Sequence, residues 1–152
     1  MIVYRLQKAK HGRDISGIGS TFVEGRWHLT GSLPLLYTAS SRSLSILEAL
    51  AHLPNSLRHV PKLTMLEISI PDTAIVDIPV ASLPTGWRNR EYQVDVQQWG
   101  MNWLRSKSSL AIKVPSYISL DSNVLVNPLH DDFKKVKLIE EYPGFLIDDR
   151  LL

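Results

Sequence analysis

Only two segments of this chain carry a helical period; its other apolar residues come in short β-rich runs bounded by turn formers. That pattern constrains the fold more than any other feature. "MIVYRL", "LPLLYT", "TMLEISI", "AIVDI", "LAIKV" and "NVLV" read as strands, because β-branched and aromatic residues crowd them. In "TMLEISI", Leu66, Ile68 and Ile70 share one face, and Glu67 and Ser69 the other. "KVKLIEE" and "FLIDD" are predicted to be two late strands with a turn at Pro143-Gly144. "HGRDISGIGSTFVEG" reads as a glycine-punctuated loop. Strands and helices do not alternate regularly. The expectation is an α+β fold, a single domain over residues 1–152 with a mixed or antiparallel sheet, rather than a βαβ repeat.

The first helical segment is "SSRSLSILEALAHL", with serines to cap its start and Pro54 to stop it. The second is "EYQVDVQQWGMNWLRS". There Tyr92, Val96, Trp99 and Trp103 make one stripe, predicted to be core rather than a platform for stacking bases.

Composition removes several functions. The 152 residues include no cysteine, so disulfides, thiolate metal sites and cysteine nucleophiles are out. No run approaches the ~20 apolar residues of a membrane span, and the N-terminus makes a poor signal peptide. A cytoplasmic protein is the default expectation. Net charge is +2, but residues 1–60 hold seven Lys and Arg against three Asp and Glu, while the remainder holds ten against twelve. The excess is open to two readings, solvated faces or an anion site. The five histidines lack metal spacing, and no zinc, Walker, serine-hydrolase or dinucleotide fingerprint is present.

Five positions invite chemistry. Glu48 falls with Leu44 and Ala51 on the apolar stripe of the first helix. A carboxylate there needs a cationic or hydrogen-bonding partner, or a cleft to line. Arg26 sits between Gly25 and Trp27; its fork suits phosphate or carboxylate, and equally a surface ion pair. Arg5 lies inside the first strand, where an arginine usually faces solvent or pairs across the sheet. Tyr37 ends an apolar strand, as core or as a face for a flat ring. Ser116 ends the strand-terminal "VPS", where its hydroxyl could bond a polar ligand.

The ordered set "YR", "SGIGS", "EGRWH", "LYTASS", "LSILEALAHL", "WG…WL", "VPS", "NVLVNPLH" and a terminal "F…DDRLL" resembles the RES domain family across essentially the whole chain. The resemblance implies a fold similar to ADP-ribosyltransferase toxins. It implies a toxin of a bacterial toxin–antitoxin pair, neutralised by an Xre-type helix-turn-helix antitoxin, with DNA reached only through that partner. It implies that NAD+ is the substrate, consumed by hydrolysis or, with inorganic phosphate as co-substrate, by phosphorolysis, and no cofactor or metal is called for. Transfer of ADP-ribose to a cellular protein is the alternative, and a non-enzymatic or RNA-directed basic toxin a second one. A homo-oligomer is left open.

Carried over by position, Glu48, Arg26 and Tyr37 are the catalytic set, and Arg5, Arg26, Tyr37, Ser116 and Trp27 bind NAD+. The two arginines would neutralise the pyrophosphate, Tyr37 would stack on nicotinamide, and Glu48 would stabilise positive charge on the ribose. One departure is visible. The family usually reads Gly-Gly-Arg-Trp-Asn, whereas this chain has Glu24 and, in place of the amide, His28.

Overall fold

The computed structural model describes residues 1–53 and 61–151. Within them seven strands form one sheet in the order β4-β5-β6-β2-β1-β3-β7. The strands are β1 (Ile2–Lys8), β2 (Leu36–Ala39), β3 (Leu63–Ser69), β4 (Ile75–Asp77), β5 (Ala111–Pro115), β6 (Ser122–Val126) and β7 (Lys137–Phe145). Only β4 and β5 pair in parallel; the other ladders are antiparallel. Helix α1 spans Arg42–Ala51 and α2 spans Val94–Ser106. The expected α+β class with a mixed sheet is what the chain forms. Among the described residues no helix is long and apolar enough to cross a membrane.

The core lies on both sides of the sheet. Trp27, Met101, Trp103 and Leu104 pack with Ile112, Val114 and Leu125 under α2. Val3, Leu66, Ile68, Ile70, Val124 and Val126 form a second cluster, which includes the three residues read as one buried face, two in β3 and Ile70 just after it. A third cluster joins Leu6, Leu63 and Met65 to Ile46, Ala49 and Leu50 of α1.

Four expectations are corrected. Pro143 and Gly144 do not turn the chain: β7 runs through them along β3. Leu63 faces Phe145 and Thr64 faces Pro143, so Gly144 is the extra residue of a bulge, at φ +69°. A bulge glycine in that region and a proline on an edge strand are both tolerated, because neither must donate to a ladder. After Phe145, "LIDD" is not strand; the chain ends in a 3-10 turn at Asp149–Leu151. Helix α2 starts at Val94, so Tyr92 precedes it, and the buried face is Val96, Gln97, Gly100, Met101, Trp103 and Leu104. On α1, Ser45 rather than Ala51 shares the buried side with Leu44. Ser41 caps that helix by accepting from the Leu44 N–H, while Pro54 lies outside the described residues.

Candidate active site

The sheet almost separates between β1 and β2, which share a single register pair, Tyr4 with Ala39. Backbone groups past that pair need other partners. The Leu6 N–H donates to Oγ of Ser45, buried on α1, at 2.7 Å. The Tyr37 carbonyl accepts from Nη1 of Arg5 at 2.8 Å. Helix α1 therefore fills the opening, and Glu48, one turn beyond Ser45, is carried to its edge. Arg5 is fixed again by donating from Nε to Gln7 Oε1 at 2.8 Å. Burial pulls its guanidinium below the usual arginine range, with the Asp14 carboxylate opposing.

A cavity of about 860 Å³ opens there, lined among others by Arg5, Arg26, Trp27, Tyr37, Glu48 and Tyr92. That volume suits a nucleotide-sized ligand. A smaller hollow of about 460 Å³ elsewhere is lined by Lys8, Ala9, Lys10, Pro61 and Lys62, with neither a carboxylate nor an aromatic face.

The loop carrying Arg26 is clamped to α2. Gln97 donates to the Gly25 carbonyl at 3.0 Å and lies 3.4 Å from the outward-lying Glu24 carboxylate. A Cβ on Gly100 would stand 2.1 Å from the Trp27 carbonyl oxygen, so only glycine lets helix and loop touch. A Cβ on Gly25 would stand 2.6 Å from the His28 ring and 2.8 Å from the Tyr37 hydroxyl.

Buried His28 organises this corner. Its Nε2 lies 2.7 Å from Ser20 O and 2.8 Å from Val23 O, and its Nδ1 2.8 Å from the Tyr37 hydroxyl. Carbonyls only accept, so Nε2 carries the proton, and in the neutral ring Nδ1 accepts from Tyr37. The same hydroxyl accepts from the Trp27 N–H at 3.2 Å. Burial pushes the Tyr37 hydroxyl far above the usual tyrosine range.

Glu48 meets neutral donors instead of an arginine. Ser116 Oγ donates to Oε1 at 3.0 Å and Asn123 Nδ2 donates to the same oxygen at 2.6 Å. Buried Ser116 in turn accepts from the N–H groups of Ile118 and Ser119, which fixes its hydroxyl toward the carboxylate. It reaches Glu48 but is not one of the residues that line the cavity.

Arg26 is gripped from several sides. Its Nη1 donates to the carbonyls of Trp87 and Asn89, each at 2.7 Å. Its guanidinium carbon lies 4.5 Å from the Tyr117 ring centre and 5.5 Å from that of Tyr92. Among the described residues its Nε and Nη2 have no hydrogen-bond partner, and these remain for an anion. Tyr92 also lies 3.3 Å from His52 Nε2, while His52 Nδ1 donates to the Glu48 carbonyl at 2.7 Å.

The structure thus brings Arg5, Arg26, Trp27, Tyr37 and Glu48 to one cleft. Trp27 contributes mainly its backbone N–H, since its indole is buried 5.5 Å from that of Trp99. Sequence reasoning missed Tyr92, Tyr117 and Asn123. Tyr92 was hidden by its fit to a helical stripe. Tyr117 follows the quoted "VPS" and Asn123 opens the quoted "NVLVNPLH", and no spacing rule flags either.

The RES domain family model matches residues 2–148. A protein from Photorhabdus laumondii named Toxin Res is 33% identical over 154 residues, covering all of this chain and 97% of that protein. A Toxin Res from Yersinia enterocolitica is 31% identical, with 99% of each chain covered. A protein from Sphingobium named Prs ADP-ribosylating toxin is 34% identical over 143 residues, covering 91% of this chain and 87% of that one. Among solved structures, a chain of the M. tuberculosis MbcT–MbcA toxin–antitoxin complex overlays with a TM-score of 0.74 at 18% identity, covering 93% of this chain and 82% of that one. At that identity the likeness concerns the fold alone.

Proposed function

The chain belongs to the RES domain family, and from that premise we propose that it is the toxin of a bacterial toxin–antitoxin pair and cleaves the bond between nicotinamide and ribose in NAD+. The observation that carries this reading is the Glu48 carboxylate, held on Oε1 by Ser116 and Asn123 at 3.0 and 2.6 Å in a cleft that also holds two guanidinium groups. Nicotinamide departs with the electron pair of the glycosidic bond, and positive charge builds on the ribose. A carboxylate oriented in advance stabilises that charge without reorganising, worth roughly 10²–10³ in rate for one such group. Water or phosphate then bonds to the ribose carbon, and water gives up a proton.

Arg5 and Arg26 suit the pyrophosphate, whose charge exists before the reaction. The face of Tyr37, held by His28 and Trp27, suits the flat cationic ring. NAD+ is a substrate in this scheme, and no cofactor enters it.

The experiment is to mix the protein with NAD+, with and without phosphate, and to follow nicotinamide. Phosphate-dependent release marks a phosphorylase and phosphate-independent release a hydrolase. No release overturns the proposal.

Transfer of ADP-ribose to a protein is a second reading, favoured by the name of the Sphingobium relative. Radiolabel from adenine-labelled NAD+ retained on a host protein would select it. The proposed partner is a helix-turn-helix antitoxin, a reading supported by the family and by the likeness to a chain of a toxin–antitoxin complex. Recovery of no such protein from the native host, with no small neighbouring gene, would count against it.

A further inference from the structure

Asn123 lies in β6, with its backbone paired to Ala39 of β2 and Val114 of β5. Its side chain takes no part in those ladders and turns to Glu48, with Nδ2 2.6 Å from Oε1. A carboxylate only accepts, so the amide nitrogen is the atom that faces it. Ser116 reaches the same oxygen at 3.0 Å from the end of β5. Both donors thus converge on Oε1, and among the described residues Oε2 has no hydrogen-bond partner.

We propose that Asn123 is a positioning residue for the reaction, holding Glu48 in one rotamer so that Oε2 alone is presented to the substrate. The inference rests on the proposed cleavage of NAD+ and assigns to this chain a residue outside its arginine, tyrosine, glutamate and serine set. Two features separate it from a merely structural asparagine. Its donor meets a carboxylate that no salt bridge holds among the described residues. It also approaches from a different strand than Ser116 does, so the carboxylate is braced from β5 and β6 together. One donor would let Oε1 pivot about it, whereas two donors from different strands hold that oxygen from two directions.

The test is Asn123→Leu, which keeps the branched heavy-atom shape but has no donor, with Asn123→Ala as the second variant where leucine does not fold. Loss of the brace misplaces the carboxylate by a fraction of an ångström to an ångström, and turnover should fall roughly 10²-fold. KM for NAD+ should stay near that of the parent, because Glu48 acts chiefly in the transition state. In a Glu48→Gln background the same change should bring little further loss, the non-additivity of groups that act as one unit. The Asn123 side-chain amide proton should also shift in the NMR spectrum when Glu48 becomes Gln. Parental turnover in a folded Asn123 variant overturns the inference while leaving the proposed function standing, and so do multiplying losses in the double variant. An unmodified protein that releases no nicotinamide overturns the function and this inference with it.

Discussion

The Tyr37 hydroxyl lies 2.8 Å from Nδ1 of His28, on the far side of a ring whose other nitrogen faces the carbonyls of Ser20 and Val23. The histidine that stands where the family usually carries an asparagine therefore has every ring donor and acceptor matched. His28→Phe would keep the ring volume but leave the Ser20 and Val23 carbonyls without this donor and the Tyr37 hydroxyl proton without an acceptor, the hydroxyl keeping only the Trp27 N–H. Unsatisfied buried groups cost about 1–3 kcal/mol each, so a drop of that order or more should appear in denaturant unfolding. Turnover should fall as well, because Tyr37 loses its anchor. A Phe variant as stable as the parent would mean that water reaches these groups.

Gly100 is the second structural pivot. Its absent Cβ leaves room for the Trp27 carbonyl, which an added carbon would approach to 2.1 Å. Gly100→Ala should force α2 away from the arginine loop and cost on the order of 1–3 kcal/mol, as overpacking does. Helix propensity alone would make the same change stabilising by up to about 1 kcal/mol. The melting temperature of this one variant thus reports which effect wins, and the contact predicts a fall.

Much of this arrangement was legible in the sequence, for identifiable reasons. The alternation of Leu66, Ile68 and Ile70 with Glu67 and Ser69 exposed one buried face, because period two survives where the other face is unpacked; in the first half of β3, Leu63 and Met65 are buried on that other face and the alternation is lost. Glu48 drew attention because a carboxylate on an apolar stripe is costly and has to be explained. Its partners were not legible: Ser116 and Asn123 lie 68 and 75 residues away, and only the β5–β6 register brings them to α1. Pro143-Gly144 misled because the dipeptide is a turn signal whose meaning changes on an edge strand, where a bulge absorbs it. Tyr92 misled because periodicity extends past a helix start that no strong cap marks; Gln93 makes no side-chain cap bond.

Tyr37 gives the stability of the folded protein a pH dependence. Burial raises its hydroxyl pKa, and burial raises that of Tyr92 in the same direction, with Arg26 opposing. An unfolded tyrosine ionises near pH ~10. The stabilisation from keeping these hydroxyls protonated is fully present below that pH. It is lost as pH climbs above it, because the unfolded chain then releases protons that the folded chain keeps. Unfolding free energy measured from pH 9 to 11.5 should decline, and the decline should be shallower in Tyr37→Phe. An unchanged slope in that variant would show that Tyr37 ionises in the folded state as a free tyrosine does.

Glu48 and Arg26 should fail in different ways. Glu48→Gln keeps size and can still accept from Ser116 and Asn123, but it loses the negative charge. If that charge stabilises the ribose cation, turnover should fall roughly 10²–10³-fold with NAD+ affinity nearly unchanged. Arg26→Ala removes a cation that meets the phosphates in the ground state, so affinity should weaken along with turnover. It also frees the carbonyls of Trp87 and Asn89 and the rings of Tyr92 and Tyr117, so its melting temperature should fall too. No arginine or lysine pairs with Glu48 among the described salt bridges, which makes a large stability loss in the Gln variant unexpected. Nicotinamide release and thermal unfolding, measured on the same preparations, separate the roles. Full turnover in Glu48→Gln would remove the carboxylate from the chemistry whatever happened to its stability.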